Sequence, residues 1–314
     1  MTGFVLRKLA GVVATVTVAS LVIFGALYLA PGDPASLLAG GNQASPAALA
    51  EIRERYHLDE PFLAQYRHWL SGLLSGDPGT SMVLKEPVTA LIGARLGTTV
   101  LLVAYASVLI LTLGVAFGVL AAVGGKRVDQ ALTVTTTVLM AAPAFVAAIL
   151  LIWLFATTLS WFPVYGSGTG FIDRLHHLTL PALALTGGYL AYVSRITRTE
   201  VRAELASDHV AAARVRGLPR RTVLRRHVLR NAAPPIVAVS GVTVAGLFAA
   251  TAVAEQAFGV AGLGSLLVQS AARQDLIVVQ ALSLLLVTVF VVVNMLVDLL
   301  NAALDPGLAR EGAA

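Results

Sequence analysis

Long apolar runs dominate this chain, and their lengths set it apart from the short periodic patterns of a soluble domain. Leu9 to Ala30 is uncharged and follows Arg7 and Lys8. Further runs that are charge-free or nearly so cover Thr98 to Gly124, Leu132 to Leu159, Leu178 to Ile196, Ala233 to Ala254 and Leu276 to Val297. At about 1.5 Å per residue, each is long enough to cross a bilayer core. A secretory signal also starts with positive charge, but its apolar region is only about 7–15 residues. The first run is therefore read as an uncleaved helix. The pattern predicts an all-α polytopic membrane protein with six transmembrane helices.

Two stretches interrupt the apolar pattern. Residues 31–97 form the only sizeable piece outside the spans. Within it, Ser45-Pro46 predicts a helix to Tyr56, Pro61 a second to Leu74, and Pro87 a third toward Leu96, with a Gly76 to Ser81 turn cluster between the last two. Its apolar content is modest, so it is expected to lean on the membrane or the spans. The second stretch, Ser207 to Pro235, is basic and helix-patterned. Ser207 and Asp208 suit a helix start before Val210 to Arg216. Gly217 stops that helix, Leu218-Pro219 turns the corner, and a second helix runs from Arg220 to Asn231. Val223, Leu224, His227 and Val228 share a stripe that Arg221, Arg225 and Arg226 largely avoid. Such a segment could bind DNA, lie on anionic lipid, or simply fix topology.

Composition agrees with a membrane protein: of 314 residues, 57% are hydrophobic and 12% charged, with mean hydropathy +0.82. Cysteine is absent, which excludes disulfides and thiolate metal sites. The positive charges choose the orientation. Six spans place both termini on one side, and that side, with Lys126-Arg127 and the loop Arg195 to Arg230, holds 15 of the 22 lysines and arginines. Positive residues mark the cytoplasm, so both termini and the basic loop are expected there. A short loop tethered at both ends reaches a DNA groove poorly, so nucleic acid is not expected as a partner, while membrane lipid is. The chain divides into 1–30 (N-terminus and first span), 31–97 (extracytoplasmic insertion) and 98–314 (core, with a cytoplasmic loop at about 199–232).

Catalytic chemistry is sparse. The six histidines offer no metal spacing beyond adjacent His176-His177, whose rings would point apart in what reads as a solvated external loop. No metal is expected. Gly124-Gly125-Lys126-Arg127 resembles a phosphate loop only superficially, because Leu120 replaces its first Gly and Arg127 its Ser or Thr. No ATPase site is expected in this chain. Glu255 and Asp298 lie near span ends, close enough to an interface to snorkel or to pair with a loop arginine. Pro143, Pro181, Pro234 and Pro235 fall within or at the ends of spans and are expected to bend them.

Together these residues carry a resemblance. Ala30-Pro31-Gly32-Asp33-Pro34, Gly76 to Ser81, Pro87-Val88, Leu178 to Pro181, Arg195 to Arg198, Asp208 to Leu218 and His227 to Asn231 occur in an order that continues with Glu255, Phe258, Gly262-Leu263-Gly264 and Val297 to Pro306. In that order the chain resembles the permease subunit of bacterial ATP-binding-cassette importers, in the dipeptide, oligopeptide and nickel branch. The family's cytoplasmic signature is Glu-Ala-Ala, three variable residues, then Gly. Counting back from Gly217 gives Ala211, Ala212 and Ala213, so the Glu is missing, as it often is in the peptide branch.

The resemblance implies a type I importer fold. It implies a coupling helix that docks on ATPase subunits through Asp208, His209, Ala211, Ala212, Ala213, Arg214, Arg216, Gly217 and Leu218. It implies a second homologous permease, two ATP-binding subunits carrying ATP and magnesium, and an extracytoplasmic solute-binding protein facing Gly76 to Ser81 and Gln256 to Asp275. No cofactor is implied for this chain. A path lined by Thr243 and Thr251, with Phe145 and Glu255 nearby, is assigned from position alone. Peptides are the default cargo; nickel or another metal chelate is the alternative, and a membrane-bound enzyme built on Glu255 or the histidine pair is a reading from another class.

Overall fold

The computed structural model describes residues 2–28, 35, 45–55 and 59–304. The Ala30 to Pro34 and Asp305-Pro306 motifs, Tyr56, His57 and Arg310 lie outside the described residues. The chain is helical, with only an isolated bridge between Thr80 and Pro87 among the described residues. The helices are α1 Thr2–Tyr28, α2 Pro46–Arg55, α3 Phe62–Leu74, α4 Val88–Val123, α5 Lys126–Ala141 and α6 Ala144–Leu151, which runs on as a π-helical stretch, Ile152–Thr158. Then come α7 Phe171–Leu205 and α8 Asp208–Val215. Arg220–Thr222, the π-helical stretch Val223–Val228 and Leu229–Ala257 continue one another and are together called α9. The chain ends with α10 Leu263–Ala272 and α11 Leu276–Leu304.

α1, α4, α9 and α11 have the length and apolarity of bilayer spans. The third expected span is not one straight helix: α5 and α6 meet at 99°. Pro143 lacks an N–H and disfavours helical backbone at the residue before it, and Ala142 is extended (φ −76°, ψ 119°). By contrast Pro181, Pro234 and Pro235 lie inside continuous helices.

Helix α7 is long enough to span but less apolar than the others. It packs against α4, α5, α6 and α9, so protein rather than lipid is its main solvent. Its register with α4 is parallel. Tyr105 meets Thr179, Gly114 meets Val193, Gly118 meets Thr197, and Arg202 donates to the Ala121 carbonyl at 3.2 Å. The chain leaves α4 at one end and begins α7 at the other, where the Trp161 carbonyl lies 3.0 Å from His176 Nε2. The bent α5/α6 pair therefore carries it back along the length of α7.

Gly118 permits the close approach of α4 and α7: a Cβ there would stand 2.6 Å from the Ser194 carbonyl oxygen and 2.8 Å from Thr197 Cγ2. Small residues serve membrane helices in this way. Gly118→Val is expected to destabilise the chain by about 1–3 kcal/mol, read as an earlier unfolding midpoint in mixed micelles. An unchanged midpoint would refute this close packing.

Other expectations change in detail. The third external helix is not separate, because Val88 to Leu96 is the first part of α4. The helix beginning at Arg220 does not stop at Asn231 but runs on through the apolar run Ala233 to Ala254. Asp298 pairs with Lys8 of α1 at 2.6 Å rather than with a loop arginine. Helix α3 leans on the end of α1 through Phe24 against Phe62, Tyr66 and Trp69, and Ser20 and Tyr66 hydroxyls lie 2.7 Å apart.

Candidate functional site

The basic loop folds as a short helix strapped to two long ones. α7 ends at Leu205, and two residues later α8 begins. Ser207 occupies the N-cap position but does not cap: its hydroxyl donates to the Glu204 carbonyl at 2.6 Å. At the other end, Gly217 adopts φ +74°, its N–H bonds the Arg214 carbonyl at 2.9 Å, and the Leu218 N–H bonds the Ala213 carbonyl at 3.3 Å. That pair of bonds is a Schellman motif, and it needs left-handed backbone at Gly217. Pro219 follows and begins α9.

Val210 and Ala213 face inward onto Val201, Val223, Val228, Ala232 and Ile236. His209 Nε2 lies 3.3 Å from Glu204 Oε2 on α7 and 3.1 Å from Asn231 Nδ2 on α9, so one side chain touches both neighbouring helices. One turn further back, Asp129 of α5 binds two α7 arginines, with Arg198 Nη2 at 2.8 Å and Arg202 Nη2 at 2.9 Å. Arg220 donates to the Val123 carbonyl of α4 at 3.1 Å. The short helix is thus joined directly to α7 and α9, while α9 is tied to α4 through Arg220 and α7 to the bent α5/α6 segment through the Asp129 pair.

Of the residues assigned to docking, Asp208, His209, Ala211, Ala212, Arg214, Arg216, Gly217 and Leu218 are exposed, while Ala213 is buried and supports the helix from beneath. His209 spends its ring on Glu204 and Asn231. One residue was missed. Val215 is 88% exposed at the end of α8, an apolar knob on a basic surface. Its signal was present, since the buried stripe of α8 passes through Val210 and Ala213 and leaves Val215 off it.

The residues assigned to the path do not share a surface. Phe145 is exposed on α6, whereas Thr243, Thr251 and Glu255 are enclosed. The two threonine hydroxyls donate to Val239 and Phe248 carbonyls of their own helix. Glu255, with no exposure, accepts from the Thr99 hydroxyl at 2.7 Å and the Ser265 N–H at 2.8 Å. The Thr99 oxygen in turn accepts from the Leu263 N–H at 2.8 Å. Glu255 and Thr99 thus serve the first turn of α10 as its N-terminal acceptors. A Cβ at Gly262 would collide with the Glu255 carboxyl group, and one at Gly264 would stand 2.5 Å from Ala252 Cα. Glu255, Gly262 and Gly264 therefore form one packing unit.

On the same side, the Ser81 hydroxyl donates to the Asp275 carboxylate, and Val88 and Leu91 pack with Leu263, Leu266 and Ile277. The Gly76 to Ser81 turn and the segment up to Asp275 are therefore neighbours.

His176 and His177 lie in the first turns of α7, not in a loop. With Asp173 they place three ligand-type atoms within 4.8 Å of one another. Each has a partner in the fold. Asp173 accepts from the Thr169 N–H at 2.7 Å, His177 Nδ1 lies 3.0 Å from the Asp173 carbonyl, and His176 meets Trp161. These contacts fasten the preceding loop to α7.

Comparison with known proteins accords with this geometry. Residues 114–310 match the family model "Binding-protein-dependent transport system inner membrane component", and residues 1–103 match the N-terminal model for the same membrane components. The chain is 36% identical over 307 residues to a probable peptide ABC transporter permease protein, y4tP, of Sinorhizobium fredii, covering 96% of this chain and 98% of that one. It is 34% identical over 309 residues to the glutathione transport system permease protein GsiC of Salmonella typhimurium, covering 98% and 99%. Among solved structures, an inward-facing MetNI methionine ABC transporter chain has a TM-score of 0.56 at 17% identity, covering 68% of this chain and 96% of that one. An amino acid ABC transporter crystallised with histidines has a TM-score of 0.53 at 19% identity, covering 68% and 94%. The chain belongs to the binding-protein-dependent inner-membrane transport components, the permease subunits of ABC importers, and is a multi-pass transport protein rather than an enzyme.

Proposed function

We propose that this permease forms, with a second homologous permease subunit, a translocation path for peptides, and that α8 docks on separate ATPase subunits that carry ATP and magnesium. The observation that carries the docking role is the form of α8: a helix anchored beneath by Val210 and Ala213, held at both ends, and presenting Ala211, Ala212 and Val215 outward. Small residues let a partner backbone approach closely, and Val215 supplies apolar area. The names of the relatives, peptide and glutathione transport permeases, support a peptide-like cargo. The distribution of lysine and arginine supports cytoplasmic termini. The joined external surface of the Gly76 to Ser81 turn and the segment up to Asp275 is where a solute-binding protein would dock. Glu255 acts as a positioning group for α10 rather than as a path lining.

Val215→Asp tests the docking role. Burying a carboxylate where a valine packed is expected to weaken retention of the ATPase subunits about tenfold or more, measured by co-purification from detergent-solubilised membranes with permease levels unchanged. Full retention of the ATPases would remove Val215 from the contact.

A further inference from the structure

Beside the C-terminal end of α8 a cleft of about 850 Å3 opens between the ends of α4 and α7 and the start of α9. Its walls carry three guanidinium groups, Arg214, Arg220 and Arg221, over an apolar floor that includes Val123, Leu205 and Leu224. No acidic residue lines it. Arg220 is tethered to the Val123 carbonyl, and among the described residues neither Arg214 nor Arg221 has a carboxylate partner. Three cations side by side repel one another unless an anion sits among them, and the apolar floor asks for a ligand that is not purely polar. The depth of the cleft narrows the choice. Val123 is the last residue of the apolar helix α4 and is followed by Gly124-Gly125-Lys126-Arg127, so the cleft lies where hydrocarbon gives way to water. An apolar stripe leads toward it along α4: Leu113 and Leu120 are both exposed and seven residues apart, on one face, and Val123 follows three residues on.

We propose that this cleft binds an anionic phospholipid of the cytoplasmic leaflet, its phosphate held by Arg214 and Arg221 with Arg220, and one acyl chain lying along the Leu113 and Leu120 stripe. Basic pockets at helix ends on this side of a membrane suit such headgroups. Because Arg214 belongs to α8 and Arg220 and Arg221 to α9, a bound phosphate bridges the docking helix to the fifth span, and the lipid composition of the membrane would set how firmly the two move together. The proposal rests on the cytoplasmic placement argued above.

The test uses the complete transporter, purified with its partner subunits into phosphatidylcholine nanodiscs with and without phosphatidylglycerol, and counts phosphatidylglycerol retained on the complex by native mass spectrometry. Retention is expected to fall about fivefold for Arg221→Gln and by a similar further factor for Arg214→Gln with Arg221→Gln. Arg221→Lys should keep most of it, and Arg225→Gln, an exposed arginine of α9 outside the cleft, should not change it. Equal loss in Arg225→Gln would reduce the effect to general surface charge and overturn the site. Unchanged lipid retention with loss of the ATPase subunits in the double variant would make the cleft a protein contact, and displacement of lipid by inorganic phosphate alone would make it a free-anion site; either overturns the proposal. The placement is checked separately. The chain has no cysteine, so Lys126→Cys gives a single thiol, which an impermeant maleimide should label only after the membrane is opened. Labelling from outside would refute the orientation while leaving the nanodisc result to judge the site itself.

Discussion

Glu255→Ala is expected to destabilise the permease by about 3–5 kcal/mol. The carboxyl group is wholly enclosed, and its two oxygens accept the Thr99 hydroxyl and the Ser265 N–H. Truncation leaves two buried donors without acceptors, at about 1–3 kcal/mol each, and adds a cavity against Gly262, whose missing Cβ exists to make room for this side chain. Glu255→Gln separates the causes. Its amide oxygen can still accept from Ser265, and its NH2 can donate to Thr99, whose oxygen already accepts from Leu263. It should recover more than half of the loss. Unfolding midpoints in mixed micelles measure both variants. If alanine were tolerated at wild-type stability, or if glutamine were as damaging as alanine, the assignment of Glu255 as the acceptor for α10 would fail.

Glu255 also shows what could be read from the sequence and what could not. The sequence offered a carboxylate at a span end and a nearby Gly-Leu-Gly, two features of one motif with no stated connection. Their connection runs through Thr99, which is 156 residues from Glu255 in the chain, and no local pattern carries a partner at that distance. The apolar runs were legible because length and lack of charge are properties of the segment itself. Proline was only half legible. Pro143 ends one helix and starts another at 99°, whereas Pro181 and the Pro234-Pro235 pair are absorbed into continuous helices. The local chemistry is the same, and packing around each site decides the outcome. Helix α4 begins ten residues before the apolar run because Arg95 and two glycines mask its first part, although Pro87 correctly marks its start. In the basic loop the Gly217 stop was legible, and so were the outward Ala211 and Ala212, whereas Ala213 packs inward and the role of His209 as a strap depends on Asn231 across the turn.

Gly217→Val is expected to leave membrane insertion intact and to abolish coupled uptake. The residue sits at φ +74°, a region that costs an L-residue about 1–2 kcal/mol and a β-branched one more. Escape from that strain means giving up the bonds from Gly217 to Arg214 and from Leu218 to Ala213 that close α8, at about 1 kcal/mol each. An eight-residue helix has few other bonds to hold it. Unwinding its last turn would move Val215 and Arg216 away from the surface they present and would separate α8 from the Pro219 turn that leads into α9. Open space around Gly217, with nothing within 4 Å of a built Cβ, means that backbone conformation and not a clash would be responsible. Gly217→Asn is therefore the informative companion, because Asn tolerates left-handed backbone; it should retain most of the uptake. The measurements are uptake of the proposed peptide cargo and ATP hydrolysis by the reconstituted transporter. Loss of uptake in the valine variant with hydrolysis persisting, and near-normal coupling in the asparagine variant, is the expected result. Equal loss in both would mean that the side chain, not the helix end, is what the ATPase reads, and normal coupling in the valine variant would remove α8 from the drive train altogether.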